Sequence, residues 1–448
     1  MTVDLAPSSP GPRERLSGRL PRMQPALLRL AGVALARVLT LEHPADSVLS
    51  RFFREHPDLG GRDRAFVAEA VFAVLRARRS LERWAGDGSP RHLLLAAAVR
   101  VFGLSQRELA PALNREQEHW IAERRAQPAL ALSPAEQADL PDWLYERLAA
   151  IHDAERLTSL VRSLKQPAPL DVRANPLKAT RAEVLARLAD EGFKAQAGRF
   201  APHAIRLMES AQLARHPLFL EGALEVQDEG SQIVTHLVAP RRGEMVVDFC
   251  AGAGGKTLLL GALMRSSGRL YAFDVSDKRL ARLRPRVARA GLSNVHPVCL
   301  HNEQDARVKR LAGKIDRVLV DAPCSGTGTL RRNPDLKWRQ TPADIVELVQ
   351  KQRAILAAAA RLLKPGGRLV YVTCSLLADE NEAVADAFLA EHPAFVAEDA
   401  WSILDAQGIR PERSGAGPYL MLAPDRHQCD GFFAAVFSRR PLPTAADA

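Results

Sequence analysis

From Gln232 onward, short apolar segments alternate with helical ones, and this alternation narrows the possible folds more than any other feature of the chain. EMVVDFC, GRLYAFDV, DRVLVDAPC and GRLVYVTCS read as strands, since short runs rich in Val, Leu, Phe and Tyr suit strands buried on both faces. SDKRLARLRPRVARA and PADIVELVQKQRAILAAAARLLK, lying between them, carry the helical period. Strand–helix–strand repetition builds right-handed βαβ units, which implies an α/β fold whose parallel sheet is covered by helices on both faces.

A chain of 448 residues has room for more than this one unit. Residues 1–22 are rich in Pro, Ser, Gly and Arg and are predicted to be a disordered lead. Residues 23–150 read as an all-α domain. Phe66, Val67, Ala70, Val71, Val74 and Leu75 recur at helical spacing, and breaks fall at Gly60–Gly61, Gly86–Pro90 and Pro128–Pro134. Residues 165–230 read as a small α+β module. It holds a Pro-flanked strand (PAPLDVRANPL), a helix TRAEVLARLADEGF with Thr180 and Glu183 placed as a capping box, and further strands near 204–208 and 218–226. The sheet domain then spans 231–440.

Net charge is +10, with Lys+Arg 62 against Asp+Glu 52, and the excess is mostly Arg, which suits bidentate phosphate contacts. That balance hints at a nucleic-acid partner without establishing one. The arginines of the helical domain fit either an RNA-docking module or a structural appendage. Cys250, Cys299, Cys324, Cys374 and Cys429 are odd in number and widely spread, so neither a disulfide framework nor a zinc site is expected. With no apolar signal core and no run of membrane-spanning length, a cytoplasmic, metal-free, membrane-independent protein with free thiols is expected.

Between strand EMVVDFC and helix LLLGALM lies AGAGGKT, a Gly-rich turn that presents free N–H groups to a ligand. A P-loop would need Gly where Cys250 stands, and a dinucleotide fingerprint would need Gly where Thr257 stands. A nucleoside ligand without phosphates fits better. Asp274 follows about twenty residues on, at the end of the next strand, where a carboxylate can accept from both ribose hydroxyls. The plainer alternative is a β-turn and an Asp that caps the helix starting near Ser276.

Cys324 and Cys374 each follow a strand, so in an open parallel sheet both thiols face the crevice that holds the Gly-rich loop. Carbon 5 of cytosine is a poor nucleophile until something adds to carbon 6, and a thiolate is suited to that addition. Asp321, beside Cys324, can hydrogen-bond the edge of such a ring and stabilise developing charge.

DFCAGAGGKT, DAPCSGTGTLRRNPDLKW and VYVTCS resemble the motifs of the NOL1/NOP2/Sun family of RNA cytosine-5 methyltransferases, in particular its bacterial 16S ribosomal RNA (Sun/Fmu) group. LGGRDRAFVAEAVFAVLR resembles the NusB-like RNA-binding domain found in that group, and EVQDEGSQ, before the sheet, and the terminal DGFFAAVF are also similar to segments of that group. The resemblance implies a class I (Rossmann-like) methyltransferase domain using S-adenosyl-L-methionine, with ribosomal RNA as partner. It implies Cys374 as nucleophile, Cys324 as the residue that assists adduct release, and Lys256 and Asp321 near the base. Cofactor contacts are implied for Cys250, Ala251, Gly252, Ala253, Gly254, Gly255, Lys256, Asp274, Asp305 and Asp321. Two departures matter. Ala253 stands where many members have Pro, which is expected to loosen the loop, and the third cofactor acid is Asp305 or Asn302, with Asp305 preferred.

Three other readings remain open: a transfer-RNA cytosine-5 methyltransferase, a DNA cytosine-5 methyltransferase, and a non-catalytic RNA-binding assembly factor. The TCS cysteine and the helical front domain speak against the DNA enzyme, and retention of Cys324, Cys374, Asp321, Lys256 and Asp274 speaks against the assembly factor. A monomer is expected, with Arg331, Arg332 and Lys337 bordering the crevice as phosphate contacts.

Overall fold

In the computed structural model, residues 24–128, 131–209 and 212–441 are described; the expected disordered lead lies outside the described residues. The chain divides into two units: residues up to Ala168 together with Thr329–Thr341, and Pro169–Gly328 together with the chain from Pro342.

The first unit is helical, with its longest helices at Pro25–Val38, Ala45–Glu55, Gly61–Arg76, Pro90–Arg100, Arg115–Ala126 and Ala154–Leu164. The breaks act as the sequence indicates. Gly60 caps Gly61–Arg76, Gly86 ends Arg78–Ala85 in the left-handed region at φ 82°, and Ser89 caps the helix that starts at Pro90. Leu35, Phe52, Val67, Val71, Leu95 and Ile121 are wholly buried in the core of this unit. Burial of each such side chain contributes roughly 1.5–3 kcal/mol.

Thr329–Thr341 joins this core, although its sequence lies inside the stretch expected to form one sheet domain. Trp338 packs on the helical core and donates its indole N–H to the Leu75 carbonyl at 2.8 Å. Lys337 Nζ donates to the carbonyls of Arg76 at 2.9 Å and Asp139 at 2.7 Å. Carbonyls at a helix C-terminus lack intrahelical partners, so these donors complete the end of Gly61–Arg76. Arg331 and Lys337 are each only 5% exposed, which corrects their expected placement as phosphate contacts. Burial pulls the Lys337 ammonium down to about 7.

The second unit contains two sheets. β1 (Leu170–Ala174), β2 (Ala195–Ala197), β3 (Ala204–Leu207) and β4 (Leu224–Val226) form an antiparallel sheet in the order β2-β3-β1-β4. Helix Arg181–Asp190 packs on it, opened by the Thr180–Glu183 capping box. Part of the stretch expected as strand near 218–226 is a short helix instead, Pro217–Leu220, because Pro217 at its first position presets the helical φ.

The larger sheet holds β5 (Met245–Asp248), β6 (Arg269–Asp274), β7 (Val295–Cys299), β8 (Ile315–Asp321), β9 (Leu363–Thr373), β10 (Phe395–Glu398), β11 (Leu420–Leu422) and β12 (Phe432–Arg439). Its order is β10-β12-β9-β8-β5-β6-β7, with β11 added beside β12. β5 through β9 pair in parallel, and β10, β11 and β12 are joined antiparallel at one side. Val246, Val247, Val318, Leu319, Val320, Val370 and Val372 are fully buried. This is why those strands show no polar alternation.

Candidate active site

The chain leaves β5 towards β6 and β7, then returns to β8 on the other side of β5. Such a reversal opens a crevice at the carboxyl ends of the strands. Asp248, Asp274 and Asp321 end β5, β6 and β8, and Thr373 ends β9 directly before Cys374.

The turn after β5 is fixed by its own backbone. The Ala251 amide donates to the Phe273 carbonyl at 2.8 Å, and the Gly254 amide to Ala251 at 2.9 Å. Gly254 has φ 89°, and a Cβ on it would lie 2.1 Å from Leu283 Cδ1, so no other residue fits there without displacement. Helix Gly255–Leu263 starts immediately afterwards. Asp274, 6% exposed, accepts the Gly252 amide at 2.8 Å through Oδ2 and the Ser276 amide at 2.7 Å through Oδ1. Ser276 itself caps the following helix, so Asp274 ties the loop to that helix and keeps further lone pairs.

Ala253, which stands in the position expected for Pro, has its carbonyl held by the Arg286 guanidinium at 2.6 Å. Arg173 of β1 donates to the Gly255 carbonyl at 2.9 Å and pairs with Gln227. Arg286 is in turn held by Glu225 of β4 at 3.0 Å. The small antiparallel module therefore buttresses the loop from behind, a role that no motif signals.

Asp248 is a further site residue that the motifs do not single out. Thr257 donates its hydroxyl to Asp248 Oδ2 at 2.6 Å, whereas Oδ1 is buried with no partner. Burial pushes this carboxyl up to about 7. An unpartnered buried oxygen at the end of β5, together with a carboxylate at the end of the neighbouring β6, fits a ligand that presents a cationic end and a ribose. Burial, added to the charges of Asp321, Asp248 and Asp274, pushes the Cys250 thiol well up.

Asp305 caps the short helix Ala306–Lys309. Its oxygens accept from the amides of His301 at 3.0 Å and Arg307 at 2.9 Å and from the Arg307 guanidinium. The guanidinium, followed by those amides, holds its carboxyl well below the usual range. No hydrogen bond joins it to the loop. Asn302, the alternative, is exposed and accepts the Gln304 amide at 2.9 Å.

The two thiols are brought together. Cys324 and Cys374 are both half-buried, with their Sγ atoms 3.4 Å apart, and the Cys374 amide approaches Cys324 Sγ at 3.3 Å. The Gly328 amide donates to the Cys374 carbonyl at 2.9 Å, which stitches the loop after β8 to the loop after β9. Hydrogen bonding to Cys374, burial and the charges of Cys374 and Glu380 together push the Cys324 thiol well above the ordinary cysteine range. Lys256 donates to Asp321 Oδ2 at 2.7 Å, and its ammonium lies 5.3 Å from the Phe432 ring centroid. Burial lowers the Lys256 ammonium, but the Asp321 carboxylate outweighs it and the net shift is upward. Cys299 ends β7 and Cys429 is fully buried, both without such a setting. Among the described residues, no group of His, Cys, Asp and Glu side chains is arranged to hold a metal ion, and no helix is long and apolar enough to cross a membrane.

Known proteins resemble this chain in sequence and in fold. Residues 235–438 match the family model of the 16S rRNA methyltransferase RsmB/F, and residues 140–214 match the ferredoxin-like domain of RsmF/B-like methyltransferases. The chain is 33% identical over 442 residues to the probable ribosomal RNA small subunit methyltransferase B of Synechocystis, covering 91% of this chain and 98% of the relative. Against the ribosomal RNA small subunit methyltransferase B of Sodalis glossinidius it is 34% identical over 409 residues, covering 84% and 90%. The crystal structure of PH0851 superposes with a TM-score of 0.76 at 28% identity, covering 93% of this chain and 99% of the other.

A parallel sheet in this order, with the loop and carboxylates at its carboxyl edge, defines a class I S-adenosylmethionine-dependent methyltransferase. The matches run through both the sheet domain and the ferredoxin-like module before it. The chain belongs to the RsmB/F family of 16S rRNA methyltransferases.

Proposed function

We propose that the protein methylates carbon 5 of an unpaired cytosine in 16S ribosomal RNA, through a covalent bond between Cys374 and carbon 6 of the base. The observation that carries this reading is the 3.4 Å approach of Cys324 and Cys374 at the ends of adjacent parallel strands. Residues 250–256, Asp248 and Asp274 would hold S-adenosylmethionine, which supplies an electrophilic methyl group when bound. Asp305 has a weaker claim, since its oxygens are occupied by His301 and Arg307.

The Cys374 thiolate adds to carbon 6, and the displaced electron pair makes carbon 5 nucleophilic. Asp321, oriented by Lys256, accepts a hydrogen bond from the exocyclic amino group of the base; solvent protonates the ring nitrogen on addition and takes that proton back on elimination. With carbon 5 methylated, its proton must leave so that the returning electron pair can expel Cys374 as thiolate. Cys324 suits this step. Two of the main causes that keep it protonated are the hydrogen bond and the charge of Cys374, and both vanish once that sulfur is bonded to carbon. Cys324 can then release its own proton to solvent and take the one from carbon 5.

The base must leave its stack to present its ring face, at about a few kcal/mol, which favours an unpaired site. The arginines of the helical unit would supply sequence-independent RNA affinity, and the reading includes a monomeric, cytoplasmic enzyme. Bisulfite sequencing of ribosomal and transfer RNA from a deletion strain tests the assignment. One protected cytosine in 16S RNA should be lost, and should return with the parent gene but not with Cys374→Ala. Loss only in transfer RNA would overturn it.

A further inference from the structure

The geometry points to Glu380 as a positioning residue that sets the separation of the two cysteine loops, an inference that rests on reading Cys324 and Cys374 as the reacting pair. Glu380 is 0% exposed. Its Oε1 accepts from the Ser325 amide at 2.8 Å and from Gln352 Nε2 at 2.9 Å, and its Oε2 accepts from the Ser375 hydroxyl at 2.5 Å. Ser325 directly follows Cys324, and Ser375 directly follows Cys374. One carboxylate thus grips the neighbour of each thiol.

The supports around it have the same effect. Gln352, on helix Pro342–Ala360, also donates to the Pro323 carbonyl at 2.9 Å, so Cys324 is held on both sides. Asn381 brackets Cys374 likewise, accepting from the Thr373 hydroxyl at 2.5 Å and donating to the Ser375 carbonyl at 3.0 Å. The Tyr371 hydroxyl donates to the Glu380 carbonyl at 2.6 Å and anchors the backbone of the grip to β9. The hydroxyls of Ser325, Thr327 and Ser375 complete a buried cluster, each lying 3.1–3.3 Å from the next.

The donors to the Glu380 carboxyl, the Ser325 backbone amide, the Gln352 side-chain amide and the Ser375 hydroxyl, are all uncharged. A carboxylate buried without a counter-ion is costly, and an amide or hydroxyl could satisfy most of these donors at lower cost. The negative charge itself therefore has a use. It adds to the hydrogen bond, the burial and the Cys374 charge that push the Cys324 thiol up.

Two substitutions separate charge from geometry. Glu380→Gln keeps the chain length and one carbonyl for Ser325 and Gln352, and its amide can donate to Ser375 Oγ. Glu380→Ala removes all three acceptors. Iodoacetamide labelling followed by peptide mapping reads each thiol without RNA or turnover. In Glu380→Gln, Cys324 should label severalfold faster at pH 9 than in the parent, and the pH profile of kcat should move to lower pH. In Glu380→Ala, kcat should fall about a hundredfold, the scale expected for a misplacement of about 1 Å. Its KM for RNA and its affinity for S-adenosylmethionine should stay within about threefold. Parental kcat and parental labelling of both thiols in Glu380→Ala, or in the one-methylene-shorter Glu380→Asp where Glu380→Ala does not fold, would overturn the positioning role; unchanged Cys324 labelling in Glu380→Gln would overturn the part given to the charge. If the parent methylates no RNA while the labelling of the two thiols still shifts in Glu380→Ala or Glu380→Asp, the functional reading fails and the positioning role stands.

Discussion

Oδ2 of Asp274 accepts the Gly252 amide at 2.8 Å, so the acid at the end of β6 holds the turn after β5 as well as facing its crevice. Asp274→Ala should therefore weaken S-adenosylmethionine binding more than removal of a ribose hydrogen bond alone, by about tenfold to a hundredfold on the scale of charge-assisted hydrogen bonds. RNA affinity should stay nearly intact. Titration calorimetry with each ligand checks this, and equal losses for both would mean that Asp274 is only a structural tie.

Gly254→Ala tests the turn itself. The new methyl would meet Leu283 Cδ1 at 2.1 Å, on a backbone at φ 89°. Strain of about 1–3 kcal/mol is expected from the backbone, with more from the steric clash. Thermal unfolding should show a lower midpoint, and added S-adenosylmethionine should no longer raise it.

Asp248 gives a pH signature. Its folded pKa is raised from 3.8 to about 7, so the folded state holds a proton that the unfolded chain releases. The resulting stability is complete below pH 3.8 and is lost as pH rises through about 7. Asp248→Asn removes the titration. Relative to the parent, the variant should gain on the order of a few kcal/mol between pH 5 and pH 8, read by denaturant unfolding across that window. A constant difference would show that this carboxyl does not titrate there.

Trp338→Ala should destabilise the helical unit by about 2–4 kcal/mol, since it leaves a void against the core and strips a donor from the Leu75 carbonyl. Arg331→Ala should leave the salt dependence of RNA affinity unchanged, because Arg331 is buried. If its guanidinium instead neutralised a phosphate of the bound RNA, the substitution would flatten the slope by about one.

The parallel strands, the Gly-rich turn after β5 and the placement of two thiols after strands were legible in the sequence, because burial on two faces and Gly at a strand end leave local signals. Whole-chain geometry accounts for what was not. Lys337 reads as a phosphate contact at the end of a motif, and nothing local says that it and Trp338 donate to the carbonyls of Arg76 and Leu75 at the end of a helix. Arg173 looks like one polar residue in a short strand, yet it holds Gly255, 82 residues away. Asp305 matched the expected position for a cofactor acid, but Arg307, two residues on, claims it. Glu380 follows the TCS motif closely, and its grip on Ser325 bridges 55 residues.

The division of labour between the thiols is the central claim, and denaturing electrophoresis of each cysteine variant with S-adenosylmethionine and 16S RNA tests it most directly. Cys374→Ala cannot add to carbon 6 and should show neither turnover nor adduct. Cys324→Ala should still add and transfer the methyl, then stall before the carbon 5 proton leaves, so that a protein–RNA band survives denaturation. A retained band for Cys374→Ala, with none for Cys324→Ala, would contradict the account and exchange the two roles.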